Sequence, residues 1–281
     1  MHCGAGAAPL TRLHGSGTLP RMAEDPRYHI RVQPGDVGGY VLLPGDRDRV
    51  ERIAKHLGRV RPAGENREYR TVTGELDGTP VSVMSSGMGC PAVAIAVEEL
   101  RTAGVHTVIR VGTTGAVGPA PRLGDAVIAQ AAVRSDGASS SYIEPGYPAV
   151  ADFAVTEALR RAAQRAGHPF HLGIVQSSDA YYGPSWWGER TARDRLELLR
   201  RAGVISVEME AAALFVVGRL RGVRTGCILA VREEWRGDVR EQGGEKFEKG
   251  LDRVIGIAID AVQLLIAESR QGGSVQRKER S

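Results

Sequence analysis

The sequence predicts a single α/β domain with a central mixed β-sheet flanked by helices. Two observations carry this. Short apolar runs rich in β-branched residues recur along the chain, and stretches with apolar residues at helical spacing separate them. Neither an internal repeat nor a linker-like segment interrupts the alternation. The 281 residues are enough for one large domain.

Tyr40–Pro44 (YVLLP) is apolar and stops at Gly45, as a buried strand does where it meets a loop. Val50, Ile53, Ala54 and Leu57 share one helical face over Arg49–Leu57. Glu68–Leu76 alternates and breaks at Asp77-Gly78, a hairpin signal, and Val81–Ser85 returns. Pro91 suits the first turn of a helix running to Ala103. Thr107–Val111 and Asp125–Val133 read as strands, Asp152–Ala166 as a helix and Leu172–Ser177 as a strand. A helix over Thr191–Ala202, a short strand Ile205–Val207, a helix Glu210–Leu220, a strand Gly226–Val231 and a last helix Glu245–Ser269 complete the series. Residues 1–25 are expected to form a disordered tail, with Met22 a second possible start. The domain is expected to span 26–270, and the polar stretch 271–281 to be loose.

Composition narrows the function. Hydrophobic residues make up 42% and charged residues 25%, as in an ordinary globular chain. No apolar run reaches the roughly 20 residues that span a bilayer, and the amino-terminal stretch has no secretory core, so no membrane role is expected. Cys3, Cys90 and Cys227 are far apart, which argues against a disulfide framework and a metal site and favours a reducing cytoplasmic setting. The net charge of +4 suits an anionic substrate. Its basic residues are dispersed among acids, which argues against a nucleic-acid surface.

Three predicted strand ends share one composition: Gly45-Asp46-Arg47-Asp48-Arg49, Ser85-Ser86-Gly87-Met88-Gly89, and Arg110-Val111-Gly112-Thr113-Thr114-Gly115. Glycines let backbone approach a ligand, hydroxyls donate hydrogen bonds, and arginine offers a planar fork to phosphate. None matches a P-loop or a dinucleotide fingerprint. Arg110 closes an apolar run, and a buried guanidinium requires an anion: either a ligand or a carboxylate from elsewhere in the fold. In Val207-Glu208-Met209-Glu210 an acid stands at a helix start, where it either complements the helix dipole or grips sugar hydroxyls.

In order and spacing, VLLPGDRDRV, REYRTVTGELDGTPVSV, SSGMG, AVEEL, IRVGTTGAV, VRSDGAS, YPAVADF, SSDAYY and VEMEAAAL resemble the nucleoside phosphorylase superfamily, the family of uridine phosphorylase and the hexameric purine nucleoside phosphorylases. The resemblance runs from Tyr28 to Ile266 and is strongest to the uridine phosphorylase branch. It implies phosphorolysis of a nucleoside, with uridine or a related pyrimidine nucleoside as substrate and inorganic phosphate as co-substrate. It implies no organic cofactor. By the same resemblance Gly45, Arg49, Arg110 and Thr113 bind phosphate, and Arg67 reaches the phosphate of a neighbouring subunit. Met209 and Glu210 hold the ribose, Glu208 lies on the pocket floor, and Thr113 adjoins the sugar. His29 meets the ribose 5′ end across a dimer. Tyr181 and Arg232 line the base, and Arg110, Glu210 and Arg232 act in catalysis. A homo-hexamer built as a trimer of dimers, with a monovalent cation near Glu68 at the dimer interface, is also implied.

The sequence departs from the branch after Tyr181. Ser185 and Trp187 stand where uridine phosphorylases carry the Gln and Arg that read uracil. Loss of a buried polar reader removes discrimination between bases, so a purine nucleoside is a second candidate substrate. Glu233 and Glu234, beside Arg232, read either as solvated charges or as base contacts. A water-using nucleosidase and a non-catalytic nucleoside-binding relative are two rival functions. Three arginines at an anion site weigh against the nucleosidase.

Overall fold

The computed structural model describes residues 27–118, 120–181, 189–236 and 239–278. The predicted tail 1–25 and the base-reading positions Ser185 and Trp187 lie outside the described residues. The elements in order are β1 Tyr40–Leu43, α1 Asp48–Ala54, β2 Gly58–Asn66, β3 Tyr69–Leu76, β4 Thr79–Met84, α2 Cys90–Thr102, β5 Thr107–Ala116, β6 Ala126–Ser135, α3 Gly137–Tyr142, β7 Ala149–Val150, α4 Phe153–Ala166, β8 Phe170–Ser178, α5 Glu189–Arg201, β9 Val204–Glu208, α6 Ala211–Arg221, β10 Arg224–Arg236, β11 Val239–Gln242 and α7 Gly244–Lys278.

The strands join one mixed sheet in the order β11-β10-β6-β8-β9-β5-β1-β4-β3-β2. A further parallel pairing of β10 with β5 closes the circuit β5–β10–β6–β8–β9 back on β5. β5 is therefore the branch strand: β1, β9 and β10 all bond to it. Alternation along the strands sends side chains into two cores. Leu42, Val83, Ile109 and Ile228 pack with α1, α4 and α7. Val41, Leu43, Val108 and Leu229 pack with α2 and α6. With Val108 on the α2/α6 side, period-two alternation turns Arg110 to that same side.

Two predicted strands stop too early. The sequence places Arg110 at a strand end with Gly112–Gly115 as a loop, yet β5 continues to Ala116. Gly115 and Ala116 pair with Val207 and Ser206, and Thr114 Oγ1 donates to the Val207 carbonyl at 2.7 Å. Likewise β10 continues through Arg232, which the apolar run alone leaves beyond its strand. Helix α7 runs into the stretch expected to be loose; Arg270 Nη2 ties it to the Asp77 carbonyl at 2.6 Å and to Thr79 Oγ1 at 2.9 Å. Strand β2 carries no apolar alternation because it is a largely exposed edge strand holding Pro62.

Candidate active site

The site begins with Arg110, buried in β5 between Leu43 of β1 and Cys227 of β10. Its guanidinium lies over Gly112, where an added Cβ would stand 3.0 Å from Cζ. The two kinds of counter-ion that the sequence allows, a carboxylate of the fold and a bound anion, both bear on the geometry. Nη2 donates to Glu210 Oε2, and Nε stands 3.3 Å from Glu208 Oε2. Two carboxylates of the fold thus compensate the charge. Burial pulls the Arg110 pKa down and the two acids more than reverse it, so the net shift is upward and the group stays cationic. Nη1 and Nε, however, are buried without a hydrogen-bond acceptor. A buried donor left without an acceptor is uncommon and marks Nη1 as a place where a further hydrogen-bond acceptor would be favoured.

The two acids divide their work. Glu208 ends β9, and its carboxylate accepts the Ala211 amide at 3.0 Å, the Glu210 amide at 2.9 Å and the Ser177 hydroxyl. It is the carboxylate that meets the helix start. Burial raises its pKa, while Arg110 holds it down. With its oxygens engaged below the surface, Glu208 is a buried counter-charge of Arg110. Glu210 caps no amide of α6 by its side chain. Its Oε1 accepts the Gly89 amide at 2.7 Å, and Oε2 faces Arg110 and the Met209 amide, the latter at 3.2 Å. Gly89 has φ +93°, which only glycine takes freely, so the SSGMG loop needs glycine there to aim that amide.

The loop after β1 closes one side. A Cβ on Gly45 would stand 3.0 Å from the Gly87 carbonyl oxygen and 3.8 Å from Arg110 Nη1. Arg49, on α1, donates to the Val111 carbonyl at 3.2 Å. Burial lowers its pKa to about 10, with Asp46 opposing and Arg110 adding to the shift, so it remains charged near neutrality. Arg49, Arg110 and Gly45 therefore converge, while the half-buried Thr113 lies three residues farther along β5.

Other predicted residues lie farther out. Arg232 is exposed, with its guanidinium 5.8 Å from the Phe247 ring, in a cleft of about 220 Å3 that it shares with Asp46, Arg49 and Arg52. Tyr181 is exposed where the described residues break off. Arg67 sits at the β2–β3 turn with φ +53°, 6.0 Å from the Tyr28 ring, and its carbonyl accepts from Arg47. Glu68 beside it packs on Gly87. His29 bonds Glu99 of α2. Glu234 is not a solvated charge: it is buried, and accepts the Leu123 amide at 2.6 Å. Gly89, Ser177 and Glu99 are supports that residue types do not disclose, since what they contribute is an amide, a hydroxyl or a carboxylate aimed from a distant element.

A model of the phosphorylase superfamily matches residues 40–267. The chain belongs to that superfamily. Among similar proteins, the uridine phosphorylase of Thermococcus kodakarensis is 43% identical over 89% of this chain and 90% of its own length. That of Treponema pallidum is 44% identical over 87% and 96%. The guanosine phosphorylase of Halorubrum lacusprofundi is 36% identical over 87% and 100%. The crystal structure of uridine phosphorylase from Vibrio fischeri superposes with a TM-score of 0.75 at 33% identity, covering 84% of this chain and 96% of that one. The superfamily and the nucleoside-phosphorylase fold are those the motifs imply. Among the described residues no helix is long and apolar enough to cross a membrane.

Proposed function

We propose that the protein cleaves a nucleoside, with uridine as the preferred substrate, by phosphorolysis to the free base and ribose 1-phosphate. The observation that carries this is the buried Nη1 of Arg110, which has no hydrogen-bond acceptor and lies beside Arg49 and Gly45. Inorganic phosphate placed there accepts from Arg110 Nη1 and pairs with Arg49. Glu210, on the Glu208 side of the same guanidinium, takes the ribose hydroxyls. As the glycosidic bond breaks, positive charge grows on the sugar; the bound phosphate is its counter-charge and then its nucleophile. The base leaves with the bonding electron pair, which Arg232 stabilises as a cation without acting as an acid. Positioning and electrostatics supply the barrier reduction.

A second reading, a purine nucleoside as substrate, is favoured by one observation: a relative of comparable coverage is named guanosine phosphorylase. The missing Gln/Arg reader at Ser185 and Trp187 points the same way. Purified enzyme assayed with uridine, thymidine, cytidine, inosine, guanosine and adenosine, with and without phosphate, separates the cases. Phosphate-dependent release of uracil supports the first reading, and release of a purine alone selects the second. Release without phosphate makes the protein a nucleosidase, and binding of nucleosides without turnover makes it a non-catalytic relative.

The enzyme is further proposed to work in the cytoplasm in pyrimidine salvage, as a hexamer of three dimers with a monovalent cation near Glu68. Glu68 packs against Gly87 of the phosphate-side loop, which would link such an interface to the site. Sedimentation analysis tests the assembly. A monodisperse monomer with full activity would refute it.

A further inference from the structure

A helix of 7 residues such as α1 does not hold its own place: isolated helices shorter than about 12–15 residues are marginal in water. Its position comes from what it touches. Val50, Ile53 and Ala54 bury one face in the core that α1 shares with α7. Apolar contact is non-directional, so it sets the depth of α1 and leaves its station along α7 open. The directional tie is Arg52. Its Nε donates to Asp252 Oδ1 and its Nη1 to Glu248 Oε2, each at 2.6 Å, and Nη2 donates to the Glu248 carbonyl at 3.0 Å. Glu248 and Asp252 are four residues apart on α7 and so share one face. One planar guanidinium therefore spans a turn of α7, a match that a lysine cannot make. Glu51, one residue back, pairs with Arg70 of β3, so α1 is tied to the sheet and to the last helix.

Arg52 stands three residues after Arg49, a spacing that puts both on one side of α1, and both line the cleft that holds Asp46 and Arg232. Arg49 reaches the Val111 carbonyl at 3.2 Å, already the long end of the usual range, so a small slide of α1 loses that bond and moves Arg49 relative to Arg110. The clamp itself is partly exposed, with side-chain accessibilities of 29% for Arg52, 54% for Glu248 and 64% for Asp252. Such pairs add little to stability, so what the clamp decides is where Arg49 stands. Charge alone gives the acids the opposite role. Burial is the main cause of the lowered Arg49 pKa; Arg52 adds to it and Glu248 opposes it, so Glu248 acts on Arg49 as an anion. An anion beside a phosphate site repels phosphate.

We propose that Arg52 is a positioning residue, and that its clamp on Glu248 and Asp252 fixes the station of α1 so that Arg49 meets the phosphate. This rests on the reading that Arg49 binds phosphate. It adds that two acids of the last helix, bonded to Arg52 and not to the anion, strengthen phosphate binding in spite of their charge. Positioning and charge therefore predict effects of opposite sign when the acids are removed.

The double variant Glu248→Ala/Asp252→Ala makes that test, with inorganic phosphate as the probe. Its Kd is measured by titration calorimetry, and KM for phosphate and for uridine by steady-state kinetics. Losing the clamp is expected to raise the Kd and KM for phosphate by about three- to tenfold, with uridine KM at saturating phosphate changing less than about twofold. Arg52→Lys keeps the charge and loses the fork, and is expected to raise the phosphate Kd by about threefold. It carries the same test should the double variant fail to fold. Tighter or unchanged phosphate binding in the double variant, or unchanged binding in Arg52→Lys, overturns the clamp. So does an equal rise in both KM values, which would mark a general loosening. Arg49→Ala is expected to raise the phosphate Kd by about tenfold or more. A wild type that binds no phosphate, or an Arg49→Ala variant that binds it equally well, overturns the phosphate reading on which the clamp rests. Loss of binding in Arg49→Ala alone overturns only the clamp, so the two failures are distinguishable.

Discussion

Replacing Arg110 with alanine will damage the fold as well as the reaction, and the damage will depend on pH. The guanidinium is the counter-charge for two acids that are themselves buried, Glu208 and Glu210. Removing one side of a buried ion pair costs about 3–5 kcal/mol, because an uncompensated charge stays behind. The loss is also linked to protons. Burial already raises the Glu208 pKa, and Arg110 is the foremost influence holding it down; without Arg110 the folded-state pKa rises further above the unfolded value. A group whose pKa is raised on folding contributes stability that is present at low pH and lost as pH climbs toward the folded pKa. The variant's deficit should therefore be small near pH 5 and widen through neutrality, by up to about tenfold in the folding constant per pH unit. Urea unfolding of both proteins at a series of pH values, at equal protein concentration, measures this. A variant as stable as wild type at about pH 8, with no added pH dependence, would refute the account of Arg110 as a buried counter-charge.

Three other substitutions probe separate parts of the site. Glu210→Ala removes the acceptor for the Gly89 amide and for Arg110; kcat for uridine should drop by about 100- to 1000-fold, and a drop below tenfold would remove Glu210 from catalysis. Gly45→Ala places a methyl 3.0 Å from the Gly87 carbonyl oxygen. It should raise KM for phosphate by about tenfold with far less effect on uridine KM, and the reverse pattern in steady-state kinetics would move the phosphate site elsewhere. Glu234→Leu strands the buried Leu123 amide. A loss of about 1–3 kcal/mol in chemical denaturation is expected, and an unchanged midpoint would show that water or another group satisfies that amide.

Much of the architecture is legible because each buried strand announces itself locally. YVLL, TVI and CILAV are apolar on both faces, which a sheet covered on both sides demands. What stays hidden is set by partners distant in sequence. The extension of β5 to Ala116 depends on β9, and nothing within GTTGA signals it. The edge strand β2 contributes almost nothing to a core and so carries no apolar period. At the site, the types of Arg110, Arg49 and Glu210 disclose an anion-and-hydroxyl chemistry. The division between Glu208 and Glu210 cannot be read, because it depends on which carboxylate the α6 amides and Arg110 reach first. The surroundings of Arg232 are equally illegible, since its neighbour Phe247 comes from α7, at the other end of the next hairpin.

The closed strand circuit bears on how the chain comes into being on the ribosome. β5 emerges early, but the strand that runs alongside it, β10, begins only at Arg224, paired in register with Thr107. Until that late segment leaves the exit tunnel, the strand carrying Arg110 has a bare side of unsatisfied amides and carbonyls, an invitation to another nascent chain. Closure between residues so far apart in sequence is also slow compared with local pairing. A message truncated before β10 would therefore yield an aggregating fragment and not a smaller working enzyme, and cells making this protein depend on translation reaching its last elements.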